Sequence, residues 1–263
     1  MPSLRKRIVI GFTASLTLVL GGAVIYLFAL LPASQSPADI DVAGTPEQIE
    51  RGRYLAVNVL QCVDCHSERD WNYFGGPPKQ PIGAGRECMT RETIAAGVNA
   101  GQETFPGKLC VRNITPDRET GIGDWTAGEI IRATREGVNR DGNGLFPMMP
   151  YFIYAAVSDA DMAAVVAYLR TLEPVQSIRP EREIDFPMNM LVQMWPQPIT
   201  EPIDTPAASD SVAYGKYLAT IGRCEFCHTR IAPRSMRALP GAEYAGGKRF
   251  YLNGKTMYSM NLT

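Results

Sequence analysis

Cys62-Val63-Asp64-Cys65-His66 and Cys224-Glu225-Phe226-Cys227-His228 are two copies of one pattern, Cys-x-x-Cys-His. Two thiols three positions apart on a turn entering a helix can each add to one of the two vinyl groups of a haem. The His that follows then sits under the iron as its proximal ligand. A lone Cys-x-x-Cys also suits a thioredoxin-like redox pair or half of a zinc site. Zinc, however, needs further Cys or His at ligand spacing, and a redox dithiol has no use for the adjoining His. The chain holds only two His, and both close these motifs. Cys62, Cys65, Cys224 and Cys227 are therefore read as attachment residues for two covalently bound haem c groups, with His66 and His228 as iron ligands. No acid, base or nucleophile is assembled around them, so no catalytic residue is assigned.

The elements that must position these motifs come in two series. Gly52-Arg53-Tyr54-Leu55-Ala56 precedes the first motif and Gly215-Lys216-Tyr217-Leu218-Ala219 the second; Asn113-Ile114-Thr115 is echoed by Asn261-Leu262-Thr263. The first unit reads as all-helical with long loops. Thr45-Pro46-Glu47-Gln48 joins an N-cap, a Pro at the first helical position and a capping-box partner, opening a helix toward Val59. Thr126-Ala127-Gly128-Glu129 opens a second, which Gly137 closes. Ser158-Asp159-Ala160-Asp161 opens a third, with Met162, Val165, Val166 and Leu169 on one apolar face. Gly- and Pro-rich chain between the first motif and Asp124 suits loops wrapped around a flat cofactor. Gly52 and Gly215 are expected to permit close crossing of helices.

Ahead of these units, Ile8 to Leu31 is an uncharged, mostly apolar run of 24 residues preceded by Arg5, Lys6 and Arg7. As a helix it would measure about 36 Å, enough for a hydrocarbon core of about 30 Å. The basic flank predicts a cytoplasmic N-terminus. A cleaved signal peptide would have an apolar core of only about 7–15 residues, and Ser36-Pro37-Ala38 is a poor cleavage site, so a retained anchor is preferred. The expected architecture is all-α: cytoplasmic residues 1–7, a transmembrane helix 8–31, a linker 32–46, a first cytochrome c-like domain 47–175, a Pro-rich linker 176–208 and an incomplete second domain 209–263. The expected location is the bacterial inner membrane, with the haem domains facing the periplasm.

After the first motif come, in order, Asn113-Ile114-Thr115-Pro116-Asp117, Thr120-Gly121-Ile122-Gly123-Asp124-Trp125, Arg135-Glu136-Gly137-Val138 and Met149-Pro150-Tyr151. This series resembles the cytochrome c subunit of bacterial membrane-bound alcohol and aldehyde dehydrogenase complexes, from about Glu47 through the linker and again from Ser209. Such subunits commonly carry three haem domains, whereas this chain has one and part of another. The resemblance implies Met149 as the distal ligand of the first haem. A thioether also suits the sixth position once both His are committed, and it raises the potential relative to His. Met148 is its direct competitor. For the second haem Met236, Met257 and Met260 are available, and none is assigned.

Cys88 and Cys110 remain after the motifs, and a disulfide between them suits an oxidising compartment. Trp125 could donate its indole N–H to a haem propionate or simply pack in the core. Residues 47–173 carry 13 basic and 17 acidic side chains and residues 209–263 carry 8 and 3. That imbalance could help dock the two haem units or steer a charged partner. Overall the chain is near neutral, with 26 basic and 27 acidic residues, and no basic face is interleaved with aromatics, which argues against nucleic acid. The linker holds the apolar stretch Phe186 to Ile199, expected to pack against a domain.

The function expected is electron transfer from a periplasmic dehydrogenase to a quinone or terminal oxidase. A di-haem peroxidase-like enzyme with an open second iron is the alternative, but it wants a distal acid or base and no His is left for that role. A haem-based sensor is weaker still, because the predicted cytoplasmic segment carries no output domain.

Overall fold

The computed structural model describes residues 4–26, 30–73, 75–85, 88–92, 105–178, 181–232, 238–252 and 255–263. Its first element, α1 (Leu4–Ile25), starts one residue before the basic run and takes in all three basic residues. Along it the Thr13 and Thr17 hydroxyls turn back to donate to the carbonyls of Ile10 and Thr13. Residues 27–29 of the expected span lie outside the described residues. Among the described residues no helix is long and apolar enough to cross a membrane. The predicted transmembrane helix 8–31, and the inner-membrane location drawn from it, are corrected accordingly.

The core is built by three capped helices. In α2 (Pro46–Tyr54) the Thr45 side chain accepts from the Gln48 N–H, as the sequence predicts. The Gln48 amide oxygen reaches one residue further back than a capping box requires and accepts from the Gly44 N–H. α2 runs on as a wider π-helical turn, Leu55–Val59, that buries Leu55 and Ala56. α4 (Ala127–Arg135) carries the full reciprocal box between Thr126 and Glu129, and Gly137, at a φ of 77° that favours glycine, ends it. α6 (Asp159–Leu169) is capped by Ser158 and is buried nearly all round, a wider face than the four residues predicted. Between α4 and α6 lies a short turn of helix, α5 (Tyr151–Tyr154).

α2 and α6 cross at Gly52. A β-carbon there would stand 1.8 Å from the Ala164 carbonyl oxygen, so the backbones meet where a side chain has no room. Gly215, its sequence counterpart, has nothing within 4 Å of the same position. Close helix crossing therefore holds for Gly52 and not for Gly215. Trp125 packs partly buried against the same core.

The chain is not all-α. β1 (Cys88–Met89) pairs antiparallel with β2 (Gly107–Cys110), and β2 pairs with β3 (Glu183–Ile184) from the Pro-rich linker. A separate hairpin joins β4 (Arg249–Leu252) to β5 (Lys255–Tyr258). The physical reason is that backbone N–H and C=O groups in long Gly-rich loops need partners, and short ladders supply them. Cys88 and Cys110 face each other in that ladder and form a disulfide. Farther along the linker Val192 is buried, whereas Phe186 is exposed, so the stretch packs only in part.

The last helices are α8 (Ser211–Ile221) and α9 (Cys224–His228), with α7 (Met188–Leu191) in the linker before them and α3 (Cys62–Cys65) earlier in the chain. α8 places Tyr217 and Ile221 in the same apolar core as Leu55, Leu60 and Val166. Its Tyr217 hydroxyl donates to Asp161 at 2.7 Å, and Arg51 grips that carboxylate with two N–H groups at 2.8 and 2.7 Å.

Candidate haem attachment sites

Each motif is entered through one left-handed residue, Gln61 at φ 57° before Cys62 and Arg223 at φ 62° before Cys224. That conformation is uncommon for a residue with a side chain, and it turns the chain sharply out of the preceding helix into the attachment turn. The Tyr154 hydroxyl donates to the Leu60 carbonyl and ties α5 to the first of these turns.

One hydrogen-bond plan then closes both loops. His66 Nδ1 lies 2.8 Å from the Arg112 carbonyl oxygen, and His228 Nδ1 lies 2.8 Å from that of Met260. A carbonyl only accepts, so each Nδ1 carries the proton and each Nε2 keeps its lone pair for a metal. The Gly85 N–H donates to the His66 carbonyl at 2.8 Å and the Gly246 N–H to the His228 carbonyl at 2.7 Å. Ser67 Oγ accepts from the Gly83 N–H at 2.9 Å; Thr229 Oγ1 accepts from the Tyr244 N–H at 2.9 Å. Asn113 Oδ1 takes the N–H and hydroxyl of Thr115, and Asn261 Oδ1 those of Thr263.

Gly85 and Gly246 share a φ of 71°, and a β-carbon at either would come within 2.6 Å of a main-chain oxygen, of Val111 and of Met260 respectively. The two loops are thus drawn against the segment that carries the acceptor. The repeated Asn-x-Thr was legible in the sequence, but its use, presenting the preceding carbonyl to the imidazole, was not. Ser67, Thr229 and Arg112 were missed, and Met260 was weighed only for its thioether, because main-chain and hydroxyl roles leave no signature in residue type.

None of the four motif cysteines is in a disulfide, although Cys88 and Cys110 are. Burial pushes the Cys62 thiol up to about 12, with Cys65 beside it adding to the effect, and keeps it protonated. Burial also holds His66 below the usual imidazole range, so the ring is neutral and its Nε2 available. The structure brings Cys62 and Cys65 together with His66, and Cys224 and Cys227 with His228. Met149 it places on a different element, in the turn before α5, where its carbonyl accepts from the Tyr151 N–H at 2.9 Å. Met149 is half-buried and Met148 exposed. Met257 and Met260 are both exposed, and Met236 lies outside the described residues.

No protein-family model matches the chain. It is 34% identical over 221 residues to the gluconate 2-dehydrogenase cytochrome c subunit of Pantoea cypripedii, an alignment covering 79% of this chain and 43% of that protein. This chain is a relative of dehydrogenase cytochrome c subunits. The chain is also 30% identical to the alcohol dehydrogenase (quinone) cytochrome c subunit of Gluconacetobacter polyoxogenes, over 81% of this chain and 42% of the relative. A diheme cytochrome c-type protein of Cereibacter sphaeroides is 28% identical, over 82% of this chain and 68% of its own length. The chain thus spans less than half the length of the dehydrogenase subunits it matches. These three relatives are cytochromes, two of them subunits of dehydrogenases.

Cytochromes of this class hold haem c covalently, and the residues here fit that group. Paired thiols outside any disulfide stand beside an imidazole whose Nε2 is left available. The Tyr151 hydroxyl, two residues after Met149, is buried with no hydrogen-bond partner among the described residues.

Proposed function

We propose that this cytochrome carries two haem c groups and passes electrons from a dehydrogenase to a respiratory acceptor, a quinone or a terminal oxidase. Residues 47–175 form the first haem unit and residues 209–263 belong to the second. The single observation that supports this most is the duplicated imidazole lock, His66 on the Arg112 carbonyl and His228 on the Met260 carbonyl.

Bound haem supplies a reversible one-electron iron couple. The chain's part is to hold it. Cys62 and Cys65, and Cys224 and Cys227, each provide two thiols for thioether bonds. The main-chain acceptors fix the tautomer and the ring plane of each His, and hydrogen bonding at Nδ1 makes Nε2 the more basic ligand. Met149 offers a thioether to the first iron. No proton need move at any of these atoms, which suits a carrier. The peroxidase-like alternative has less support, because both imidazoles of the chain are engaged through Nδ1 in the same proximal arrangement.

The test is a redox titration of the purified protein followed by visible absorption, with the covalent haem content measured on the same sample. Two reversible one-electron steps with Met ligation at the first haem are expected. Absence of covalent haem, or peroxide turnover at an enzyme-like rate, would overturn the reading.

A further inference from the structure

The two residues that enter the attachment turns touch each other. Arg223 Nη2 donates to Gln61 Oε1 at 2.5 Å, although the two stand 162 positions apart in sequence. Gln61 is bonded directly to Cys62 and Arg223 directly to Cys224, and both occupy the left-handed conformation that aims their turns. The contact therefore links the two motifs at the position just before each first thiol. Beside it, a β-carbon at Gly222 would lie 3.7 Å from Val59 Cγ1, so the Val59 side chain reaches van der Waals range of the residue before Arg223. Leu60, the residue before Gln61, and Ile221, two residues before Arg223, are fully buried in the shared core. At the far side of α8 the Tyr217–Asp161–Arg51 contacts hold the same helix to the first unit.

We propose that Arg223 and Gln61 are positioning residues that clasp the two attachment turns together and so fix how strongly the two haems are coupled. This rests on the two-haem reading above. The step served is the transfer of one electron between the units: one iron is oxidised, the other reduced, no bond forms or breaks and no proton is released. Neither side chain is a ligand. Each acts through the turn it begins, and the charged, directional guanidinium N–H is suited to hold a fixed register where a longer, looser contact would let the turns slide.

The experiment compares the full-length holoprotein with Arg223→Met, Gln61→Leu, the double variant, and Gln61→Glu, which keeps an acceptor for Arg223. Covalent haem content, the Met-ligation band and far-UV circular dichroism check that each variant is loaded and folded. The readouts are the excitonic coupling between the haems in visible circular dichroism and the rate of electron equilibration between them after rapid one-electron reduction. Arg223→Met and Gln61→Leu should each lower the rate by about threefold or more, and the double variant should be no worse than either single, because one shared contact is lost once. Gln61→Glu should keep the wild-type rate and coupling. Two haems in the wild type, with coupling and rate indifferent to both single substitutions or with additive losses, would overturn the clasp and leave the carrier reading standing. Fewer than two covalent haems in the wild type would overturn the carrier reading and the clasp with it.

Discussion

Gly52 lies so close beneath Ala164 that the carbonyl oxygen of one helix occupies the place where the other would carry a side chain. Gly52→Ala should therefore force α2 and α6 apart and destabilise the protein by about 3 kcal/mol or more, an overpacking penalty at the upper end of the usual range. The opposite sign is expected for Gly215→Ala, which sits in open space in the interior of α8 and should stabilise it by about 0.5–1 kcal/mol. Urea unfolding of the two variants checks both. Equal effects would mean that the two helices are packed alike.

Replacing Met149 by Ala should abolish the weak far-red band of Met-to-iron ligation at the first haem, while Met148→Ala, at a more exposed side chain, should leave it. The reverse pattern would assign the ligand to Met148.

Alkaline pH should loosen the junction between α8 and the first unit. Burial pushes the Tyr217 phenol up to about 12, and burial raises Tyr154 as well. A folded-state pKa above the unfolded value of about 10 means that this stability is fully present below pH 10 and is lost as pH climbs from about 10 toward 12. The unfolding free energy should fall across that window, and Tyr217→Phe should flatten part of the fall. An identical slope in the variant would show that Tyr217 contributes nothing to it.

Cys88 and Cys110 close a loop of sequence separation 22. Changing both to Ser should lower the unfolding free energy by about 3 kcal/mol on the chain-entropy account, with covalent haem content unchanged. A loss well below 1 kcal/mol, read from denaturant midpoints, would mean that the loop is held by its ladder alone.

Local signals in the sequence were enough for the helix starts. Thr45, Thr126 and Ser158 each cap where their side-chain chemistry predicts, and Gly137 stops α4. The strands escaped because they are two to four residues long, too short for a period of two to stand out, and because β2 finds β3 across the linker. Asp161 reads as part of a helix opening, yet it is also the acceptor for Arg51 and Tyr217, a long-range role no local pattern carries. In the haem sites, thiols and imidazoles are visible by spacing, whereas the acceptors that orient them are main-chain atoms.

Arg112 and Met260 share no side-chain chemistry, yet each lends its carbonyl to the same ring nitrogen of its imidazole. The contact at these two places depends on the path of the chain and not on the identity of the residue. Many side chains should be interchangeable there, while inserting or deleting a single residue between Cys110 and Asn113, or between Ser259 and Asn261, should swing the acceptor away and leave the imidazole free to rotate. Tolerance to substitution and intolerance to length change are thus expected at the same spot.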